Sequence, residues 1–285
     1  MQKNDIKNLI WFRNDLRTID NAVLSEATKN GNTVFGVYCF DPKQFLIDAF
    51  GFRKTEKFRA QFLIETIKDL KTQLSQLNIE LLVYNEHPEV IIPKLCNSLN
   101  VEAIYLQKEW TQEEIYTENA VKASIENVAW HHIYNQFLYH PEDINFEIYQ
   151  TPQVFTVFRK KLEKYIAIRH ESRIKKQPKN NRIENETKIQ TLTDLGFEDF
   201  ETHTHSAFPF KGGETKALRR LEDYFFNTKK LGFYKKTRNG LIGKDYSSKF
   251  SPWLANGSIS ARTIYWNVKH FEKEHYNNES TYWLI

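Results

Sequence analysis

The chain has 285 residues, 40% hydrophobic and 27% charged, with a formal net charge of +4. That length can bury two cores and that balance excludes a disordered chain, while the small basic excess does not decide for or against a nucleic-acid partner, so clustering of charge matters more than its total. No apolar run approaches the roughly 20 residues that span a bilayer, the opening MQKND lacks the apolar stretch of a signal peptide, and Cys39 and Cys96, outside any CxxC, read as small core residues of a reduced, cytoplasmic protein.

In chain order, residues 9–12 predict a strand and Asp20 a cap for a helix over 21–30, closed by Gly31. A strand follows at 33–40, then a long helix at 55–77, where Leu63, Ile67, Leu70, Leu74 and Leu77 recur at spacings of four and three and make one apolar face. Strands at 79–84, 101–106 and 128–133 alternate with helices at 87–99 and 111–126. Five strands alternating with helices predict a doubly wound parallel sheet over residues 1–137, with a crevice at the carboxyl ends of its strands. The first strand runs into RNDLR, so neither G-x-G-x-x-G nor a P-loop is present.

Thr111 and Glu114 form a capping-box pattern, and Glu113 and Glu114 fall in a first helical turn, where acids are favoured whatever else they do. Residues 138–205 read as a long interdomain linker with one helix, capped by Thr151, opened by Pro152 and running to about Arg169. The run RHESRIKKQPKNNR at 169–182 fits a solvated linker or a phosphate-contacting strip. His131-His132 and His203-x-His205 lack further ligands at zinc spacing, so no metal site is expected.

A second, helical domain is predicted over 206–285. Leu218, Leu221, Tyr224 and Phe225 make one apolar face, with Arg219 and Arg220 on the polar side; Ile264, Val268 and Phe271 make another behind Ser260. Between them lies TRNGLIGKDYSSKFSPWLANGSISAR. Ser247, Ser248, Lys249 and Ser251 bring three hydroxyls and an ammonium to a helix start, which favours an anion. Tyr234, Tyr246, Phe250 and Trp253 place flat rings nearby, as walls for a nucleotide-type cofactor or as core around a capped surface turn.

This stretch resembles the flavin-diphosphate segment of the photolyase/cryptochrome family, and of its DASH cryptochromes in particular. Further resemblance lies in WFRNDLRTIDN, GFRKTEKFRAQFLIETIKDLKTQL, TPQVFTVFRKKLEK and GGETKALRRLEDYF, which together cover nearly all of the chain. The resemblance implies FAD held at Tyr234, Ser247, Ser248, Lys249, Phe250 and Ser251. It implies a 5,10-methenyltetrahydrofolate antenna in the first domain, with Glu114 of QKEWTQEEIYTENAV against the pterin. The implied activity is blue-light sensing, light-driven splitting of cyclobutane pyrimidine dimers by a carbon–carbon lyase, or both. The implied partner is UV-damaged DNA, preferentially single-stranded, and the implied parent is a monomer without a membrane. The family continues past this chain's last helix, so its catalytic and electron-transfer residues are expected beyond Ile285. The helical domain is then incomplete and the chain by itself inactive, with the apolar faces at 218–225 and 264–271 lacking some of their partners and an exposed hydrophobic patch in this domain. The alternative is a non-catalytic remnant that binds a pterin or nucleic acid.

Overall fold

A computed structural model describes residues 6–285. Five strands, β1 (Lys7–Trp11), β2 (Thr33–Cys39), β3 (Glu80–Tyr84), β4 (Val101–Gln107) and β5 (Ala129–Ile133), form one sheet in the order β3-β2-β1-β4-β5. Every pairing is parallel. The crossovers are α1 (Ala22–Ala27), α2 (Lys57–Gln76), α3 (Pro88–Leu99) and α4 (Gln112–Ala123). Alternation along β1 sends Ile10 and Phe12 to one face, with the inner sides of α1 and α2. Leu9 and Trp11 go to the other face, with α3 and α4. Both faces are covered, which is why the central strands read as continuous apolar runs.

Asp20 does not cap α1. The Asn21 side chain accepts the Leu24 N–H at 3.0 Å, and Asp20, in the left-handed region at φ 51°, turns away to other partners. The helix ends at Ala27, and the Thr28 N–H and hydroxyl that follow both bond the Leu24 carbonyl, at 3.2 and 2.8 Å.

The connection is less of a free linker than its composition suggests. Thr151 and Pro152 do not open its helix. A 3₁₀ turn at Ile148–Gln150 comes first, the Thr151 N–H closes it on the Ile148 carbonyl at 3.0 Å, and α5 runs only over Phe155–Tyr165. Within the basic run, the Asn181 side chain bonds the Val34 N–H at 2.7 Å and the Val34 and Asn78 carbonyls at 2.9 and 2.6 Å. Arg169 is bound by both oxygens of Asp143, each at 2.6 Å. Lys175, Lys176 and Lys179 stay exposed.

The helical part comprises α6 (Glu214–Glu222) extended by a π turn at Asp223–Asn227, α7 (Tyr234–Thr237), α8 (Ser251–Ala255), α9 (Ala261–Glu274) and α10 (Glu279–Leu284). Leu221, Tyr224 and Phe225 are buried against Trp253, Ile264, Val268 and Phe271 in one core. The shortage of partners expected at 218–225 and 264–271 does not expose these faces: they are buried in one core, with only Leu218 partly buried. Among the described residues no helix is long and apolar enough to cross a membrane.

Buried polar contacts fasten this part to the sheet domain. The Glu214 carboxylate accepts the N–H groups of Thr18 and Ile19, at 3.0 and 2.7 Å. Arg17 donates to the Gly257 carbonyl at 3.0 Å. Asp20 receives Arg262 through two nitrogens, at 2.9 and 2.7 Å, and the Ser260 hydroxyl at 2.6 Å. Gly257 is at φ 74°, and a Cβ there would fall 2.0 Å from the Asn14 carbonyl oxygen, so only glycine allows this approach.

Candidate functional site

The loop between α7 and α8 is organised from below by Arg220. Its side chain is 1% exposed, and its ring of donors takes the carbonyls of Lys244, Ser247 and Ser248 at 3.2, 3.1 and 3.1 Å. It also bonds Asp245 at 3.0 Å and Asp223 at 3.2 Å. Burial pushes the Asp245 carboxyl up, but bonds from Lys230, Arg220 and Lys244 more than offset it and hold the group below the usual carboxylate range.

With its carbonyls taken up by Arg220, the loop leaves its own donors without partners. The N–H groups of Ser248, Lys249 and Phe250 and the hydroxyls of Ser247, Ser248 and Ser251 have no acceptor among the described residues. Lys249 lies at φ 65° and Phe250 at φ −74°. A left-handed residue followed by a right-handed one aims successive N–H groups into one concavity suited to an anion. A non-glycine residue held left-handed costs on the order of 1 kcal/mol, so the surrounding contacts enforce this conformation. The Lys249 ammonium lies 3.6 Å from the centre of the Tyr246 ring.

The expected residues do not all contribute alike. Ser247, Ser248, Lys249 and Ser251 sit together on this loop. Phe250 is 4% exposed and packs edge-on against Phe225 at 5.8 Å, so its ring belongs to the core and only its backbone N–H is left without a partner. Trp253 is likewise fully buried. Tyr234 opens α7, half-buried against the helical core, and no hydrogen bond among the described residues joins it to the 247–251 loop.

Glu114 lies elsewhere, at the crevice beyond the carboxyl ends of β1 and β4, the switch point of the sheet. Its Oε2 accepts the Thr111 N–H at 3.3 Å and hydroxyl at 2.5 Å, so the capping box is closed. Its Oε1 accepts from Asn14 at 3.3 Å. Asn14 also bonds Glu109, and burial pushes the Glu109 carboxyl up to about 7 against the opposing pull of Gln107 and Arg13. Arg13 Nε, Asp15 Oδ2 and Gln107 Oε1 nearby are buried without partners. The crevice thus holds polar groups in excess of what the protein itself satisfies.

A family model for DNA photolyase matches residues 8–179, more than half of the chain. The chain belongs to the DNA photolyase family. It is similar to cryptochrome DASH of Gloeobacter violaceus, 43% identical over 279 residues, covering 97% of this chain and 56% of that protein. The crystal structure of Synechocystis cryptochrome superposes with a TM-score of 0.91 at 39% identity, covering 100% of this chain and 59% of that one. A class III photolyase from Agrobacterium tumefaciens, at 19% identity and TM-score 0.79, shares the fold. The chain spans about half the length of the curated relatives it matches.

Two residues of this family member are not singled out by sequence pattern. Arg220 was placed on the polar side of its helix, yet it is buried, 2% exposed. The signal was present, because Arg220 lies three residues after Ala217 and four before Tyr224, on the apolar face. An arginine on an apolar face must have a dense set of acceptors waiting for it. Glu109 carried no comparable signal. Its raised pKa comes from burial by segments distant in sequence, and periodicity does not report that.

Proposed function

We propose that the 247–251 loop holds the diphosphate of FAD, and that the chain supplies this half of the cofactor site in a blue-light flavoprotein of the cryptochrome DASH type. The observation that carries the reading is the set of unpartnered N–H and hydroxyl groups above the Arg220 cradle. When bound, the flavin supplies light-driven electron transfer. This chain's residues orient the diphosphate: the backbone donors point at its oxygens, the serine hydroxyls add adjustable donors, and Lys249 adds charge.

The surface around the loop is open. Leu241 and Ile242 are 85% and 94% exposed, so the described residues give a flavin ring no enclosing wall beside these donors. We therefore propose that these 285 residues alone bind the diphosphate weakly and do not sustain dimer repair. The proposed substrate of the whole protein is a cyclobutane pyrimidine dimer in single-stranded DNA, where extruding the lesion costs least. Lys175, Lys176 and Lys179 add weak, salt-sensitive phosphate contacts. The proposed compartment is the cytoplasm and the proposed state a monomer. Residues 1–137, 138–205 and 206–285 are proposed as antenna domain, linker and start of the flavin domain.

For the crevice we propose a methenyltetrahydrofolate antenna. Asn14, Glu109 and Glu114 present two carboxylates and an amide that match a pterin's amino and ring N–H groups. In this reading Glu114 releases Thr111 when the pterin binds. Reconstitution with the folate, followed by absorption spectroscopy of wild type, Glu114→Gln and Glu109→Gln, tests it. Loss of the bound-folate band in either variant supports the reading; an undiminished band in both removes it.

A further inference from the structure

We propose that Asp41, His87 and Glu89 form a binding site for one borderline divalent metal ion, zinc(II) or its spectroscopic surrogate cobalt(II). The three come from two neighbouring strand ends: Asp41 follows β2, while His87 and Glu89 open α3 just after β3. One donor atom from each lies within 4.8 Å of the other two. The His87 Nδ1 is 2.9 Å from Asp41 Oδ1, and Asp41 is only 13% exposed at its side chain. Donors a few ångströms apart are what a metal with bonds of about 2.0–2.2 Å gathers with small side-chain shifts.

An independent observation points to a missing partner. Glu89 Oε2 is shielded from solvent and takes no hydrogen bond from another residue, although the side chain as a whole is 23% exposed and its own N–H bonds the carboxylate. That oxygen keeps lone pairs free of any neighbouring side chain, which a metal ion can take up. The other oxygen already holds a cation, the ammonium of Lys43. An imidazole with two carboxylates favours zinc, cobalt or nickel over magnesium or calcium, which take oxygen alone. The His87 ring is 34% exposed, so its Nε2 can carry the proton facing water while Nδ1 binds the metal, and solvent completes the coordination. The histidine pairs that sequence spacing singles out take no part; these ligands meet only because the sheet brings two loops together.

Cobalt(II) titration of the full chain, read by its visible ligand-field bands and by zinc(II) competition, tests the site. One equivalent should bind. His87→Ala and Glu89→Gln should each weaken affinity by about ten-fold or more, while Lys43→Met, which removes the competing ammonium, should strengthen it. A His131→Ala/His132→Ala variant should bind as wild type, and millimolar magnesium should not compete. Circular dichroism confirms folding of each variant. The proposal is overturned if neither wild type nor Lys43→Met binds one equivalent, or if both His87→Ala and Glu89→Gln bind like wild type.

Discussion

Replacing Arg220 with methionine keeps most of the buried stem and deletes the guanidinium. The change strips a partner from three carbonyls, of Lys244, Ser247 and Ser248, and from the carboxylates of Asp223 and Asp245. Bonds to a charged group contribute about 1.5–3 kcal/mol each when taken singly, but five on one side chain do not add. Breaking a buried ion pair by removing one member costs about 3–5 kcal/mol. Asp223 and Asp245 retain 41% and 29% side-chain exposure and can rehydrate, which places the expected loss near the lower end, about 3 kcal/mol. Urea denaturation at pH 7 reads this as a lower midpoint at unchanged slope. The acid limb should change as well. Because the Asp245 carboxyl is depressed in the folded state, its stabilisation is present above the ordinary aspartate range and disappears as pH falls through the folded value. Arg220→Met should flatten that limb, and Arg220→Lys, which keeps charge without the fork, should fall between. A loss below about 1 kcal/mol for Arg220→Met would refute the claim that the guanidinium orders the loop.

Asp20→Asn should destabilise by about 3–5 kcal/mol in the same assay, because it leaves Arg262 buried without its counter-charge while asparagine still tolerates the left-handed backbone. Gly257→Ala should prevent the two parts from docking, seen as rapid proteolysis near residue 257, since its Cβ meets the Asn14 carbonyl. Glu109 has a folded pKa raised to about 7 from 4.5, chiefly by burial, so its contribution to stability falls as pH rises between those values. Glu109→Gln should remove that decline, measured as urea midpoints at pH 5, 6, 7 and 8. Glu114→Ala should cost about 1 kcal/mol through the lost cap, whereas Glu114→Gln, which can still accept the Thr111 N–H, should cost less.

The sheet was legible because its signals are local and repetitive. Short strands, mostly apolar, alternate with helices whose faces are written every three or four positions, and the leucines of α2 point where that spacing puts them. Boundaries were less legible where neighbouring residues are both able to cap, as Asn21 does in place of Asp20. The faces of α6 and α9 were expected to lack some of their partners, because how two amphipathic helices meet is a tertiary fact. In the candidate site the serines and Lys249 were legible from residue type. Their organiser shows in the sequence only as an arginine on an apolar helix face; what it binds does not show, because carbonyls are present at every position of a sequence.

The diphosphate site is tested most directly by equilibrium binding of FAD to the purified 285-residue chain, with ADP and riboflavin as competitors and Ser251→Glu as the variant. Ser251 is exposed, so the glutamate should leave the fold intact while repelling a diphosphate. We predict weak, saturable binding that weakens with salt, is displaced by ADP and not by riboflavin, and is lost in Ser251→Glu, with no light-dependent dimer splitting. Tight flavin retained through gel filtration, displaced by riboflavin and unchanged in Ser251→Glu, would contradict it.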